Sequence, residues 1–277
     1  MNPAKPTADA KGIHGQVLRL RYDPKQSLVI DEQSLSIEDG KVSALIGPNG
    51  SGKSTLLRAL ARQLLPDSGS VILDGRDIAT LPTRELARNL GMLFQEHIAP
   101  GDLTVEQLVY HGRFPHRRLF DSLTEEDNAA VEGALRMANI AEVRQRQLGE
   151  LSGGQKQLAW IAMALAQSPR YLLLDEPTTF LDLAHQFDVM DLIRRLNREL
   201  GKTIVLVMHD LNLAARYVDY LFAMRSGKIV ASGTPAEVLT TDTLRRVFDV
   251  ETRIIHDDPL QSMFCIPVGR AGRSADK

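Results

Sequence analysis

Residues 47 to 55 read GPNGSGKST, a spacing suited to holding phosphate oxygens. Gly47, Gly50 and Gly52 let the backbone turn its N–H groups inward without Cβ interference, with Pro48, Asn49 and Ser51 completing the loop. Lys53 adds a compact positive charge. The apolar run VSALI before Gly47 predicts a strand and TLLRALAR after Ser54 predicts an amphipathic helix, the strand-loop-helix setting in which this pattern binds ATP. Phosphates at that helix N-terminus meet orphan N–H groups and the positive dipole end. Ser54 is expected to place its hydroxyl on Mg²⁺ and Thr55 to contact the phosphates nearer the ribose.

A second glycine-rich string, LSGGQ, spans Leu151 to Gln155, and an acidic strand signal, YLLLDEP, starts at Tyr171. Ser152 is positioned to cap the helix that follows, and consecutive Gly153 and Gly154 present N–H groups suited to an anion. Asp175 and Glu176 stand side by side where the apolar run ends. Extended geometry would point them in opposite directions, one toward a metal and one toward a water. Acidic residues at strand ends are often only caps. Two phosphate motifs in the same chain turn the reading toward catalysis.

The elements that must carry these residues are legible as patterns. VLRLRY, LVIDEQSLSI and SVILDG, within residues 15–45 and 69–80, alternate apolar and polar positions and predict an antiparallel sheet. GMLFQ, YLLLD, TIVLVMH and YLFAM are short continuous apolar runs between helical segments, the pattern of a buried parallel sheet. Residues 96 to about 150 read as mostly helical. There SLTEEDNAAVEGALRMANI opens with capping residues and spaces Val131, Leu135 and Ala138 on one face. The fold class is therefore α/β, with a parallel core sheet, a flanking antiparallel β-subdomain and a helical subdomain inserted over about 96–165. Residues 1–14 read as a disordered lead-in without the apolar segment of a signal peptide. The main domain covers 15–256, and 257–277 form an extension with a mobile end.

The chain has 277 residues, 43% hydrophobic and 25% charged, with a net charge of −2. That balance offers no general attraction to nucleic acid. The longest apolar stretch, LAWIAMALA, has nine residues, about half of the ~20 a membrane-spanning helix needs. A single cysteine, Cys265, excludes an intrachain disulfide and a cysteine-rich metal site, and reads as a small, partly buried apolar side chain.

The order GPNGSGKST, LSGGQ, YLLLDEP resembles the ATP-binding cassette (ABC) family of P-loop NTPases. The resemblance implies that Ser152, Gly153, Gly154 and Gln155 contact the γ-phosphate held by the phosphate loop of a second copy. One set of motifs per chain then implies a two-fold dimer enclosing two ATP. It further implies that Asp175 holds Mg²⁺ through its water shell and that Glu176 is the general base or water-positioner. Gln95, at the end of GMLFQ, senses Mg²⁺ and the γ-phosphate in that pattern, and His209, in the MHD string, is the switch histidine. Asp182 matches the loop that communicates across the dimer and is also placed to cap a helix. Tyr22 stands where the family stacks an aromatic ring on adenine, with an exposed strand tyrosine as the alternative.

HGRFPH, AWIAMALAQ, DEPTTFLDLAHQ, HDLNLAARYVD and SGTPAEVLT are similar to ATPases of bacterial importers for ferric siderophores, haem and cobalamin, the ferric siderophore ATPases most of all. The likeness runs from about Val17 to Pro267. It implies a membrane permease partner, an indirect link to a substrate-binding protein, and a place on the cytoplasmic face of the membrane. Lys156, Leu158, Phe180 and Leu181 depart from the usual residues near the dimer contact. An exporter subunit or a different cargo is the alternative within the family. HGRFPHRRLF interleaves basic and aromatic residues as nucleic-acid binders do, but a short basic loop in a slightly acidic chain is ordinarily solvated surface. In the importer reading it lies near the docking point of the permease's cytoplasmic helix.

Overall fold

The computed structural model describes residues 11–95, 100–118, 122–257 and 262–271. The chain divides into two compact units, one comprising residues 1–79 and 205–277 and the other residues 80–204. The first unit opens with β1 (Ile13–Leu20), β2 (Ile30–Ile37), β3 (Val42–Ile46), α1 (Lys53–Leu60), β4 (Ser68–Leu73) and β5 (Arg76–Asp77). The second contains α2 (Thr83–Asn89), β6 (Leu90–Leu93), α3 (Val105–His111), α4 (Glu125–Met137), α5 (Gly153–Ala166), β7 (Tyr171–Asp175) and α6 (Leu183–Leu200). The division falls within β8 (Thr203–Val207). The first unit then resumes with α7 (Leu211–Tyr217), β9 (Tyr220–Arg225), β10 (Lys228–Gly233), α8 (Pro235–Val238), α9 (Thr241–Phe248), β11 (Val250–Asp257) and β12 (Ser262–Arg270).

In the first unit the alternating segments form an antiparallel sheet in the order β2-β1-β4-β5, with Ile13 opposite both Ile37 and Leu73. VSALI does not join it, although its first four residues fall within the 15–45 stretch assigned to that sheet. As β3 it is buried at every position and pairs in parallel with β9, Ser43 opposite Tyr220 and Ile46 opposite Ala223. Continuous burial on both faces is what a parallel core strand requires. The Met208 N–H donates to the Leu45 carbonyl at 3.1 Å, so the end of β8 flanks β3 on its other side. β10 closes the opposite side antiparallel to β9.

In the second unit β6 and β7 pair in parallel, Leu90 opposite Tyr171 and Leu93 opposite Leu174. The helices α3, α4 and α5 lie in the region expected to be helical. Thr124 caps α4 in a capping box with Asp127, and Val131, Leu135 and Ala138 are buried on one face as the spacing predicts. These helices are tied by a charge. Arg113 is 1% exposed; its Nε donates to Asp127 Oδ1 at 2.8 Å and its Nη1 to the Ala166 carbonyl at the end of α5, also at 2.8 Å. A guanidinium at the C-terminus of α5 suits the dipole there. The basic and aromatic run HGRFPH is thus partly internal: Arg113 is consumed by this clamp, and a His116 ring nitrogen bonds the Gln167 carbonyl at 2.9 Å.

The end of the chain differs from expectation. β11 and β12 form an antiparallel hairpin with Ile254 opposite Cys265, which crosses the boundary expected at 256/257. Pro267 and the charges of ETR interrupt the alternation that would have announced two strands. Cys265 is buried, and its N–H donates to Asn212 Oδ1 at 2.8 Å. Burial, followed by the nearby Asp210 charge, pushes its thiol up to about 11. The expected lead-in lies outside the described residues over 1–10, while Ile13 and His14 already belong to β1. The mobility expected of the C-terminal end falls, for 272–277, outside the described residues as well. Among the described residues no helix is long and apolar enough to cross a membrane.

Burial opposes ionisation of Asp127, but hydrogen bonds from Arg113 and Thr124 outweigh it and bring the carboxyl from 3.8 to about 2. Asp127→Asn strands the buried guanidinium and is expected to cost about 3 kcal/mol or more in urea unfolding at neutral pH. A depressed folded-state pKa means the carboxylate's contribution is present above pH 3.8 and lost as pH falls toward about 2. The stability gap between wild type and variant should therefore narrow over that interval.

Candidate functional site

The phosphate loop leaves β3 and enters α1 in the first unit. Gly47 has φ 152°, and a Cβ there would lie 2.2 Å from the Met224 carbonyl oxygen, so only glycine fits against β9. Gly52, at the start of α1, has φ 97° and no side chain caps this helix. By contrast α3, α4, α5, α6, α7 and α9 each receive a side-chain cap from Thr104, Thr124, Ser152, Asp182, Asp210 and Thr240. An uncapped first turn keeps its N–H donors for an anion. Ser51 is 2% exposed and its Oγ has no hydrogen-bond partner among the described residues. The buried Ser51 hydroxyl without a partner fits a phosphate ligand, and the open first turn of α1 is compatible with one, although α2 also begins without a side-chain cap.

Lys53 is 5% exposed, and its ammonium donates to the carbonyls of Gly47 at 3.0 Å and Pro48 at 3.1 Å. The loop thus braces its own cation. Tyr22 is half exposed, and its hydroxyl lies 3.0 Å from Thr55 Oγ1. That bond joins the tyrosine to the first turn of α1 and engages the hydroxyl expected to meet the phosphates. Asn49 and Gly50 are exposed and Ser54 is half-buried. His209 is exposed two residues beyond β8, and Asp210 beside it caps α7.

The second unit collects the remaining residues. Asp175 is 2% exposed at the end of β7. Glu176 follows with φ 53°, so its backbone is left-handed and not extended as the strand reading assumed. The left-handed residue ends β7 at Asp175 and turns the chain out of the sheet, against the extended conformation that a residue before proline ordinarily adopts. Gln95 lies two residues beyond β6 and its Nε2 donates to Glu176 Oε2 at 2.7 Å. The Thr179 hydroxyl donates to the same oxygen at 3.0 Å. Thr179 escaped the sequence reading; its position three residues after Glu176, on a turn, is the local signal that could have found it.

Ser152 caps α5 as expected, its Oγ accepting from the Gln155 N–H at 3.2 Å while Gln155 Oε1 accepts from the Ser152 N–H at 3.2 Å. This capping box uses the outer two N–H groups. Those of Gly153 and Gly154 form no hydrogen bond among the described residues. Asp182 caps α6, its Oδ1 accepting from the His185 N–H at 2.9 Å and bonding His185 Nδ1 at 2.7 Å. The His185 N–H foremost, then its ring, holds the Asp182 carboxyl below the usual carboxylate range. Just before it, Phe180 is 95% exposed with φ 64° and Leu183 is 71% exposed. A groove of about 620 Å³ runs along α3 and the turn after it, lined by Gln107, Tyr110, His111, Phe114, Arg117 and Leu123 among others.

With the geometry in view, the sequence profile of the ABC transporter family matches residues 30–179. The ferric enterobactin transport ATP-binding protein of Escherichia coli (strain K12) is 44% identical over 268 residues, covering 97% of this chain and 98% of its own. The achromobactin transport ATP-binding protein of Dickeya dadantii (strain 3937) is 48% identical over 242 residues, covering 87% and 90%. Among solved structures, a dimeric ATP-binding cassette in a post-hydrolysis state bound to ADP and Pi superposes with a TM-score of 0.70 at 28% identity, over 80% of this chain and 98% of that one.

Ser152→Ala removes the α5 cap and is expected to destabilise the protein by about 1 kcal/mol. Chemical denaturation without nucleotide reads this cost apart from any effect on ATP.

Proposed function

The chain belongs to the ABC transporter family, and from that premise we propose that it is the ATP-hydrolysing subunit that powers import of a ferric siderophore through a membrane permease. As a member of the family it is an ATP-binding ATPase with the P-loop ABC fold. The observation that carries the cargo is near full-length similarity to proteins named for ferric enterobactin and achromobactin transport. In this reading the chain works at the cytoplasmic face of the membrane. The groove beside Tyr110 and Phe114 receives the permease's cytoplasmic helix, and a substrate-binding protein delivers the iron complex to the permease.

In the proposed mechanism Lys53 and the uncapped N-terminus of α1 hold the phosphates, and the Tyr22 ring supports the adenine. Glu176 accepts or positions the proton of the attacking water; Gln95 and Thr179, both bonded to its Oε2, aim that carboxylate. His209 orients the γ-phosphate side. Ser54, Gln95 and Asp175 present oxygen donors suited to Mg²⁺. When bound, that ion neutralises charge developing on the phosphate oxygens. A second copy supplies Ser152, Gly153, Gly154 and Gln155 to the γ-phosphate, and Asp182 connects the two copies. Kinship with a cassette solved as a dimer supports this assembly. ATP binding closes the pair and hydrolysis reopens it, shifting the permease only as far as ATP's differential affinity for the two states allows.

Glu176→Gln keeps the shape of the side chain and removes its charge. ATP binding should survive while turnover falls about 100-fold or more, and the closed dimer should accumulate. In cells whose only copy carries this change, uptake of labelled ferric siderophore should be lost while haem and cobalamin uptake persist. Unchanged ATP turnover would refute the catalytic role; unchanged siderophore uptake would refute the cargo.

A further inference from the structure

Gly153 and Gly154 are adjacent, yet their surroundings differ. Neither requires a left-handed backbone. A Cβ at Gly153 would meet nothing within 4 Å, whereas a Cβ at Gly154 would lie 2.1 Å from His185 Cδ2, 2.3 Å from Cγ and 2.8 Å from Cβ. Gly154 is buried. Space at residue 154 is therefore taken by one imidazole, and by the root of that side chain as well as its ring, so a rotation of the ring alone does not open it.

That imidazole is held from its other side. Asp182 Oδ1 accepts from the His185 backbone N–H at 2.9 Å and lies 2.7 Å from the ring Nδ1. A carboxylate only accepts, so the bond requires hydrogen on Nδ1. With backbone and ring pinned to one oxygen, His185 presents its Cδ2 edge to the first turn of α5. The first turns of α5 and α6 are thereby coupled through a single side chain, one carrying Ser152 to Gln155 and the other Asp182.

We propose that His185 is a positioning residue that sets the path of the Ser152–Gln155 loop and links it to Asp182, and that Gly154 is glycine because His185 occupies the space of its side chain. The inference rests on the reading of Ser152–Gln155 as the half-site for a second copy's ATP. It assigns to packing within one chain a glycine for which phosphate contact is the obvious explanation. A displacement of His185 moves Gly154, and one of Asp182 moves His185, so a change in either first turn is felt in the other.

The test uses the full chain in the Glu176→Gln background, comparing Gly154→Ala, His185→Ala and the double variant. Two quantities are read: ATP binding by the single copy, and the ATP concentration needed for dimer formation. Gly154→Ala is expected to raise that concentration about 10- to 100-fold, as overpacking does. Adding His185→Ala should bring it back to within about threefold of His185→Ala alone. ATP binding by single copies, which uses the Lys53 loop, should be equal in all, a result that general misfolding would not give. A double variant as defective as Gly154→Ala, or a Gly154→Ala that dimerises normally, overturns the proposal. Ser152→Phe separates the two levels: if it abolishes ATP-driven dimerisation while rescue fails, only the role of His185 is wrong, and if it has no effect, the half-site reading itself is wrong.

Discussion

The negative charge of a bound triphosphate must be met by N–H dipoles and one ammonium in place of water, and much of the fold serves that constraint. A donor can face an anion only if nothing else satisfies it, and in the proposed site α1 meets that condition: it begins without a side-chain cap, as α2 does, while six other helices carry one. Leaving donors open weakens a helix end. Burial of the strand before the loop compensates: β3 is inaccessible along its whole length, and the close approach of Gly47 to Met224 fixes where the loop starts. Lys53, braced by the carbonyls of the loop it serves, brings its charge already oriented.

The second unit solves a related problem with carboxylates. β7 drives Asp175 to its buried end, then the chain turns through a left-handed Glu176 and, four residues later, a left-handed Phe180. A left-handed backbone costs about 1–2 kcal/mol at a residue with a side chain, and two such residues in one loop are held by their surroundings. Gln95 and Thr179 fix the Glu176 carboxylate, and the capped start of α6 fixes the far end of the loop. Between these anchors Phe180 stands almost fully in solvent. In the proposed dimer this strained loop, with its exposed aromatic ring beside Asp182, belongs to the surface that the second copy covers.

What could be read from the sequence was whatever is local. GPNGSGKST, the cap at Ser152, the cap at Thr124 and the buried runs of β3 and β7 each follow from residues within a few positions of one another, and each stands in the structure as the pattern implies. What could not be read depends on contacts between distant segments. Arg113 looked like part of a basic surface run because Asp127 and Ala166 lie 14 and 53 positions away. VSALI was legible as a strand but not as a neighbour of β9, which comes more than 170 residues later, so its first four residues fell within the range assigned to the antiparallel sheet. His185 and Gly154 gave no joint signal, since a histidine after a cap and a glycine in a phosphate motif each have a sufficient local explanation. The C-terminal hairpin was hidden for another reason: its strands are mostly exposed and carry charges and a proline, so burial imposed no alternation.

The central claim is that each ATP is held by the Lys53 loop of one copy and the Ser152 loop of another. It is tested most directly by mixing two defective proteins, both in the Glu176→Gln background, one with Lys53→Ala and one with Ser152→Phe. A mixed dimer contains one composite site with both loops intact and one with neither. The account predicts that neither protein alone retains ATP in a dimer, while the mixture yields a dimer with one trapped ATP. A mixture that traps none, or a Ser152→Phe protein that traps ATP with its own copies, would contradict it.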